Sequence, residues 1–121
     1  MTTNQQFADL LGITEQDGRL GVATGDAHTN ASGGVHGGLI ASLVDMAMGR
    51  EVRAGLAEGQ KAVTLQLAIT YLNAAEPGDT LYVVADAGKR GTSIVMLTAH
   101  VTTGDGKDIA QGVGTFFVVD G

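Results

Sequence analysis

Hydrophobic and polar positions along the chain change their period, and the change divides the sequence. Residues 4–11, NQQFADLL, predict a short amphipathic helix ending near Gly12. GRLGVATG (18–25) has weak strand character, and the turn-rich loop DAHTNASGGV follows it. From Gly37 to about Ala54 the period is helical: Leu39, Ile40, Leu43, Val44, Met46, Ala47 and Met48 cover most of the circumference. A helix apolar nearly all round is buried on several sides. Its later turns carry Arg50, Glu51 and Arg53, so that end reaches solvent, and Gly55 is the expected C-cap. Beyond it the period drops to two. In AVTLQLAITYL (62–72), Leu65, Leu67, Ile69 and Tyr71 alternate with Thr64, Gln66, Ala68 and Thr70, one apolar face against one small or polar face. TLYVVADA (80–87), TSIVMLTAHVT (92–102) and KDIAQGVGTFFVV (107–119) are further strands. The turns between them are NAAEPGD, GKRG (88–91) and TGDG, the last a strong hairpin signal. One long buried helix followed by four antiparallel strands on short turns predicts an α+β domain, a sheet wrapped on one helix.

Composition narrows the class. The chain has 121 residues and no internal repeat or linker, which fits a single domain over 1–121. No apolar run approaches the roughly 20 residues of a membrane span, and MTTNQQFADL has no basic secretory region, so a cytoplasmic location is expected. A net charge of −6 argues against nucleic acid as a partner while leaving room for one small anion held by local Lys or Arg. There is no cysteine, and three scattered histidines form no ligand cluster, so no metal is expected. The glycine pairs at 33–34 and 37–38 match neither a dinucleotide fingerprint nor a P-loop, and Ser42, inside the helix, is no nucleophile elbow.

The remaining chemistry sits in NASGGVHGGLIASLVDMAMG, residues 30–49. Asp45 lies in the middle of an apolar helix, where a carboxylate is costly to bury. Gly37 and Gly38 start that helix, where unpaired N–H groups and the partial positive charge of the dipole stabilise an oxyanion. Asp45 follows Gly37 by eight residues. At about 1.5 Å per residue they stand roughly 12 Å apart along the axis, beyond the reach of an aspartate side chain. If both act on one substrate carbonyl, they come from two chains, with two antiparallel copies of the helix about a two-fold axis. From the residues alone, a structural aspartate and simple turn glycines stay open as alternatives.

Asn30, His36-Gly37-Gly38 and Asp45 in this spacing resemble the acyl-CoA thioesterases of the hotdog superfamily, closest to the phenylacetate-degradation type. VTLQLAITYLNAAEPGDTL and GKRGTSIVMLTAHVTTGDGKDIAQGVGTFFV are similar to that family's strands, so the likeness covers roughly residues 20 to 119. It implies a hotdog fold, a homodimer with a continuous sheet that often pairs again into a homotetramer, and a site shared across the dimer interface. It implies hydrolysis of an aryl- or medium-chain acyl-CoA, with coenzyme A arriving as part of the substrate and no other cofactor. Carried onto this chain, Asp45 attacks the carbonyl or activates water, and Gly37 donates its N–H to the thioester oxygen. Asn30 orients carbonyl or water, His36 fixes the loop or contacts the thioester, and Thr64 helps hold the water. Lys89, Arg90 and Gly91, read as a tight turn, are candidates for the coenzyme A moiety. Asn30 as an Asx-turn residue and Thr64 as an ordinary strand residue are the structural alternatives. His28 and His100 receive no role. The competing functions are a non-catalytic acyl-CoA-binding module, a structural dimerisation protein and, more weakly, a hotdog dehydratase.

Overall fold

The structure, a computed structural model, describes residues 6–120. Helix α1 spans Gln6–Leu11, and Gly12, at φ +79°, turns the chain out of it. Residues 4 and 5 of the expected helix lie outside the described residues. Six strands follow, β1 (Ile13–Gln16), β2 (Arg19–Ala23), β3 (Gln60–Tyr71), β4 (Thr80–Arg90), β5 (Ile94–Thr103) and β6 (Asp108–Asp120). Helix α2 runs from Gly37 to Arg53. All strand pairs are antiparallel, in the order β1-β2-β4-β5-β6-β3. This is the expected α+β hotdog arrangement, a sheet wrapped on one long helix. No helix among the described residues is long and apolar enough to cross a membrane.

The helix is held by side chains whose spacing the period of 3.6 brings to one face. Leu39, Ile40, Leu43, Val44, Ala47, Met48 and Val52 are buried, while Asp45 and Met46 are half-buried. Opposite them, β5 alternates without a break: Val95, Leu97, Ala99 and Val101 point inward. Leu81 and Val83 of β4 and Ile109, Ala110 and Phe116 of β6 complete the core. Two inward positions of β6 are glycines because α2 comes too close for a side chain. A Cβ on Gly112 would stand 3.0 Å from Val44 Cγ1, and one on Gly114 would run into the Met48 thioether.

Four features differ from the sequence expectation. Where only weak strand character is read around residues 18–25, β1 and β2 form a hairpin. Its two-residue loop, Asp17-Gly18, has φ of +55° and +84°, the doubly left-handed turn that Asp-Gly favours. Ile13 and Val22, opposite each other across this hairpin, are both buried. Second, GKRG is not a tight turn: β4 continues through Lys89 and Arg90, with a register shift between Ala87 and Arg90, and the chain turns over residues 91–93. Third, the C-cap of α2 is Ala54 rather than Gly55. Gly55 leaves room for Arg90, whose guanidinium donates to the Glu51 carbonyl at 3.0 Å; a Cβ there would stand 2.8 Å from it. A cation at a helix C-terminus offsets the dipole.

Fourth, β3 does not alternate strictly. Its register with β6 shifts between Thr64 and Gln66, so Leu65 is an extra, exposed residue. A bulge of this kind transfers the following side chains to the other face. Thr64 is thereby on the same side as Leu67, Ile69 and Tyr71, facing α2, instead of opposite them. β3 is also an edge strand: it pairs with β6 and, among the described residues, with nothing on its other side. Exposed Val63, Leu65, Tyr71 and Leu72 lie along or beside it.

Candidate active site

The residues singled out in the sequence fall into two clefts at different levels of α2. The first, about 560 Å³, is lined among others by Asp45, Met46, Gly49, Arg50, Arg53 and Thr64. Here the β3 bulge has a direct consequence. It aims the Thr64 hydroxyl at α2, where it donates to Asp45 Oδ1 at 2.8 Å. The acid and the hydroxyl are 19 residues apart in sequence. They belong to one chain and one cleft.

The second cleft, about 490 Å³, is lined by Asn30, Gly34, Gly37, Gly38, Tyr71 and Asn73 among others. It surrounds the start of α2. His36 is the N-cap, and its Nδ1 accepts from the Gly38 N–H at 2.9 Å. That nitrogen therefore carries no proton in this arrangement, and Nε2 is the ring's N–H. The Leu39 N–H goes to the His36 carbonyl at 3.0 Å. The Gly37 N–H, one of the orphan donors of a helix start, has no acceptor among the described residues. Both glycines relieve close contacts: a Cβ on Gly37 would stand 3.2 Å from the Tyr71 ring and hydroxyl, and one on Gly38 3.1 Å from His36 Nδ1, so either neighbour would have to shift by a few tenths of an ångström.

Asn30 holds the loop that leads into the helix. Its Oδ1 accepts from the N–H groups of Ser32 at 2.9 Å and Gly34 at 3.2 Å, an Asx turn closed by the Asn30 N–H to the Gly34 carbonyl. The oxygen is thus engaged in the loop, and the amide Nδ2 remains as a donor. The loop is anchored outward by Val35, which is buried and bonded to the Ala75 carbonyl at 3.0 Å. His28, given no role in the sequence, braces the approach: its Nδ1 accepts from the Gly25 N–H and its Nε2 donates to the Leu11 carbonyl at 2.6 Å.

Sequence reasoning missed Tyr71. Its hydroxyl donates to the Gly37 carbonyl at 2.7 Å, fixing the peptide that follows the orphan N–H. Partial burial pushes its phenol above the ordinary value, which keeps it a donor. A signal was present, since a phenol on the apolar face of a strand needs a partner for its hydroxyl. Lys89, Arg90 and Gly91 join neither cleft. They lie at and just beyond the end of β4, where Arg90 reaches the last turn of α2, the opposite end of the helix from Gly37. Among the described residues no three His, Asp or Glu side chains converge as metal ligands do.

The architecture agrees with relationships found in known proteins. The thioesterase superfamily model matches residues 32–110, from the loop before α2 into β6. The chain belongs to the thioesterase superfamily. Acyl-coenzyme A thioesterase 13 from Homo sapiens is 34% identical over 93% of this chain and 84% of its own length. Among solved structures, the BH2602 protein from Bacillus halodurans, crystallised with CoA, has a TM-score of 0.87 and 34% identity, covering 98% of this chain and 80% of that one. A phenylacetic acid degradation-related protein from Ralstonia eutropha has a TM-score of 0.84 and 26% identity over 96% of this chain and 92% of that one. The resemblance read from Asn30, His36-Gly37-Gly38 and Asp45 thus points to the right superfamily.

Proposed function

We propose that this superfamily member hydrolyses acyl-CoA thioesters to a carboxylate and free coenzyme A, in a site completed by two chains. The observation that carries the reading is the division of one constellation between two clefts on one rod. The acid with its hydroxyl and the free N–H with its bracing residues both suit a thioester carbonyl, and they are eight residues apart on a rigid helix. An antiparallel second copy brings Asp45 of one chain beside Gly37 of the other and builds two sites at once. The unpaired edge of β3 with its exposed apolar side chains supports a homodimer whose sheet continues from chain to chain. A homotetramer, as a dimer of dimers, is the further assembly we expect.

In this reading the Gly37 N–H polarises the thioester carbonyl, with the amide of Asn30 as a second donor. Asp45 is the general base. Thr64 occupies Oδ1, so Oδ2 is left to take a proton from water, and the same hydroxyl helps hold that water. Water oxygen bonds to the carbonyl carbon, the oxyanion forms on the helix N-terminus, and its collapse breaks the C–S bond. The thiolate takes up a proton and leaves as coenzyme A. His36 keeps the donor in place as the helix cap. A cytoplasmic location and the need for no other cofactor or metal remain our proposals, and the aryl- or medium-chain acyl group expected from the sequence is the neutral alternative against which the acyl preference is to be tested. Lys89 and Arg90 stay candidates for the coenzyme A phosphates, and Gly91 for close approach of the pantetheine. With helices head to tail, the end of α2 that Arg90 caps extends past the partner's Gly37, toward the partner's loop.

The test is thiol release from a panel of acyl-CoA substrates by wild type and Asp45→Asn. Wild type should release thiol, and the variant should be about 100-fold or more slower while still binding acyl-CoA. Tight binding by wild type with no thiol released would instead make this a binding module. Wild-type rates in the variant would remove Asp45 from the mechanism.

A further inference from the structure

The Asp45 cleft has an internal charge arrangement that hydrolysis does not require. Four charged side chains line it: Glu15, Asp45, Arg50 and Arg53. Arg50 and Glu15 pair with each other at 3.5 Å, the one ion pair among the described residues. That leaves Asp45 and Arg53. The guanidinium of Arg53 does not extend away from α2. It folds back along the helix over Gly49, where a Cβ would stand 3.1 Å from its Nη1 and 3.8 Å from the ring of Phe116. Gly49 lies midway between Asp45 and Arg53, one helix turn from each. The folded guanidinium therefore sits about one turn, roughly 5.4 Å, along the axis from the level of the acid, and an extended chain of about five carbons spans that distance. Between the two levels the wall is formed by Met46, Gly49, Ala62 and Phe116, which are apolar or small.

We propose that Arg53 is a specificity-determining residue that receives an anionic terminus of the acyl group, and that the preferred substrates are half-thioesters of short dicarboxylic acids. The inference rests on the thioesterase reading above. A substrate with its thioester carbonyl at Asp45 and a carboxylate at the far end matches the charges of the cleft end to end. A planar guanidinium with no carboxylate partner among the described residues is suited to bidentate pairing with that carboxylate. A neutral chain of the same length would instead press a methyl terminus against a cation. The position of a cation in the last turn of α2 is favourable to the helix dipole whether or not it binds anything. The fold-back over Gly49 into the cleft is what the dipole does not explain.

The experiment compares kcat/KM for ω-carboxyacyl-CoA thioesters of four to six carbons with unsubstituted acyl-CoA of the same lengths, in wild type, Arg53→Met, Arg53→Lys and Gly49→Ala. Wild type should prefer the ω-carboxyl series. In Arg53→Met the ratio of the two series should fall about 10- to 100-fold, the range for a hydrogen-bonded charged pair, with the loss mostly in KM. Arg53→Lys should recover part of the ratio, and Gly49→Ala, which displaces the guanidinium, should lower it less than Arg53→Met. Equal losses for both series would overturn the proposal and assign Arg53 to coenzyme A or to the fold. So would a wild type that hydrolyses only the neutral series. Thiol release from neither series would overturn the thioesterase reading itself, a result separable from the other two.

Discussion

The two clefts of this molecule are made from opposite materials. The Asp45 cleft is assembled from a helix face and a strand face, with one bulge to bring Thr64 round. The Gly37 cleft is assembled from glycines, an Asx turn and a histidine cap, braced by buried Val35 and by Tyr71. The first presents a base on a rigid element. The second presents a backbone donor, whose position depends on the loop that leads to it. A side chain can be removed by substitution, whereas a backbone N–H is removed only by proline. The contrast therefore decides how each cleft can be tested.

The largest effect is expected when each cleft is broken in a different chain. Asp45→Asn disables the acid. Gly37→Pro deletes the N–H at the first helical position, where the helix backbone accepts proline and His36 already has the extended conformation that precedes one; Gly37→Ala, which adds the same Cβ 3.2 Å from Tyr71 but keeps the N–H, is the steric control. Asp45→Asn and Gly37→Pro alone should each lose about 100-fold or more in thiol release. Mixed after unfolding and refolding together, random pairing makes half the dimers mixed, each with one intact site, so about a quarter of wild-type activity should return. No recovery on mixing, with mixed dimers demonstrated by mass spectrometry, would place both groups in one chain and sink the shared site.

The next effect concerns the contact that sets the two clefts in register. Gly112 faces α2 from β6, and a methyl there would meet Val44 at 3.0 Å and Ile69 at 3.1 Å. Val44 precedes Asp45, and Ile69 lies on the strand that carries Thr64. Gly112→Ala should destabilise by about 1–3 kcal/mol through overpacking and push α2 off β3. Denaturant unfolding measures the first, and a greater fall in kcat than in substrate affinity would report the second. An unchanged unfolding midpoint would show that the helix is not held as closely as the geometry indicates.

The same contrast explains what was legible in the sequence. The period of 3.6 over 37–54 and the unbroken alternation of Val95, Leu97, Ala99 and Val101 made the helix and β5 plain, because burial of one face writes itself into residue type. The site constellation was legible because helix rise is fixed, so eight residues measure a distance. The β1–β2 hairpin was missed although Asp17-Gly18 marks its turn, since only Ile13, Leu20, Val22 and the small Ala23 are apolar in strands of four and five residues. The bulge at Leu65 was not legible: the run from Thr64 to Tyr71 alternates without a break, and only pairing with β6 decides where the extra residue goes. Arg90 read as a turn cation because GKRG carries turn residues, whereas its partner, the Glu51 carbonyl, belongs to another element.

Within the Asp45 cleft, Thr64→Val removes the hydroxyl and keeps the shape. Loss of the bond to Asp45 Oδ1 should lower kcat about 10-fold, in line with about 1.5 kcal/mol for a hydrogen bond to a charged group. Thr64 is exposed, so stability should hardly move. Thr64→Ser, which restores the hydroxyl without the methyl, should recover most of the rate. If serine and valine behave alike, the hydroxyl has no part in the chemistry.

The smallest effect is expected from the corresponding change in the Gly37 cleft. Tyr71→Phe deletes the hydroxyl that holds the Gly37 carbonyl, but that carbonyl keeps its place in the helix ladder, and His36 still caps the Gly38 N–H. The donor itself is untouched. A loss of about 2- to 5-fold in kcat is consistent with a positioning residue that contributes up to about 1 kcal/mol. Amide exchange at Gly37 to Leu39 should quicken in the variant, as the helix start loses one of its two side-chain braces. A loss as large as that of Gly37→Pro would mean that Tyr71 touches the substrate, and the backbone donor would then no longer be the principal group in this cleft.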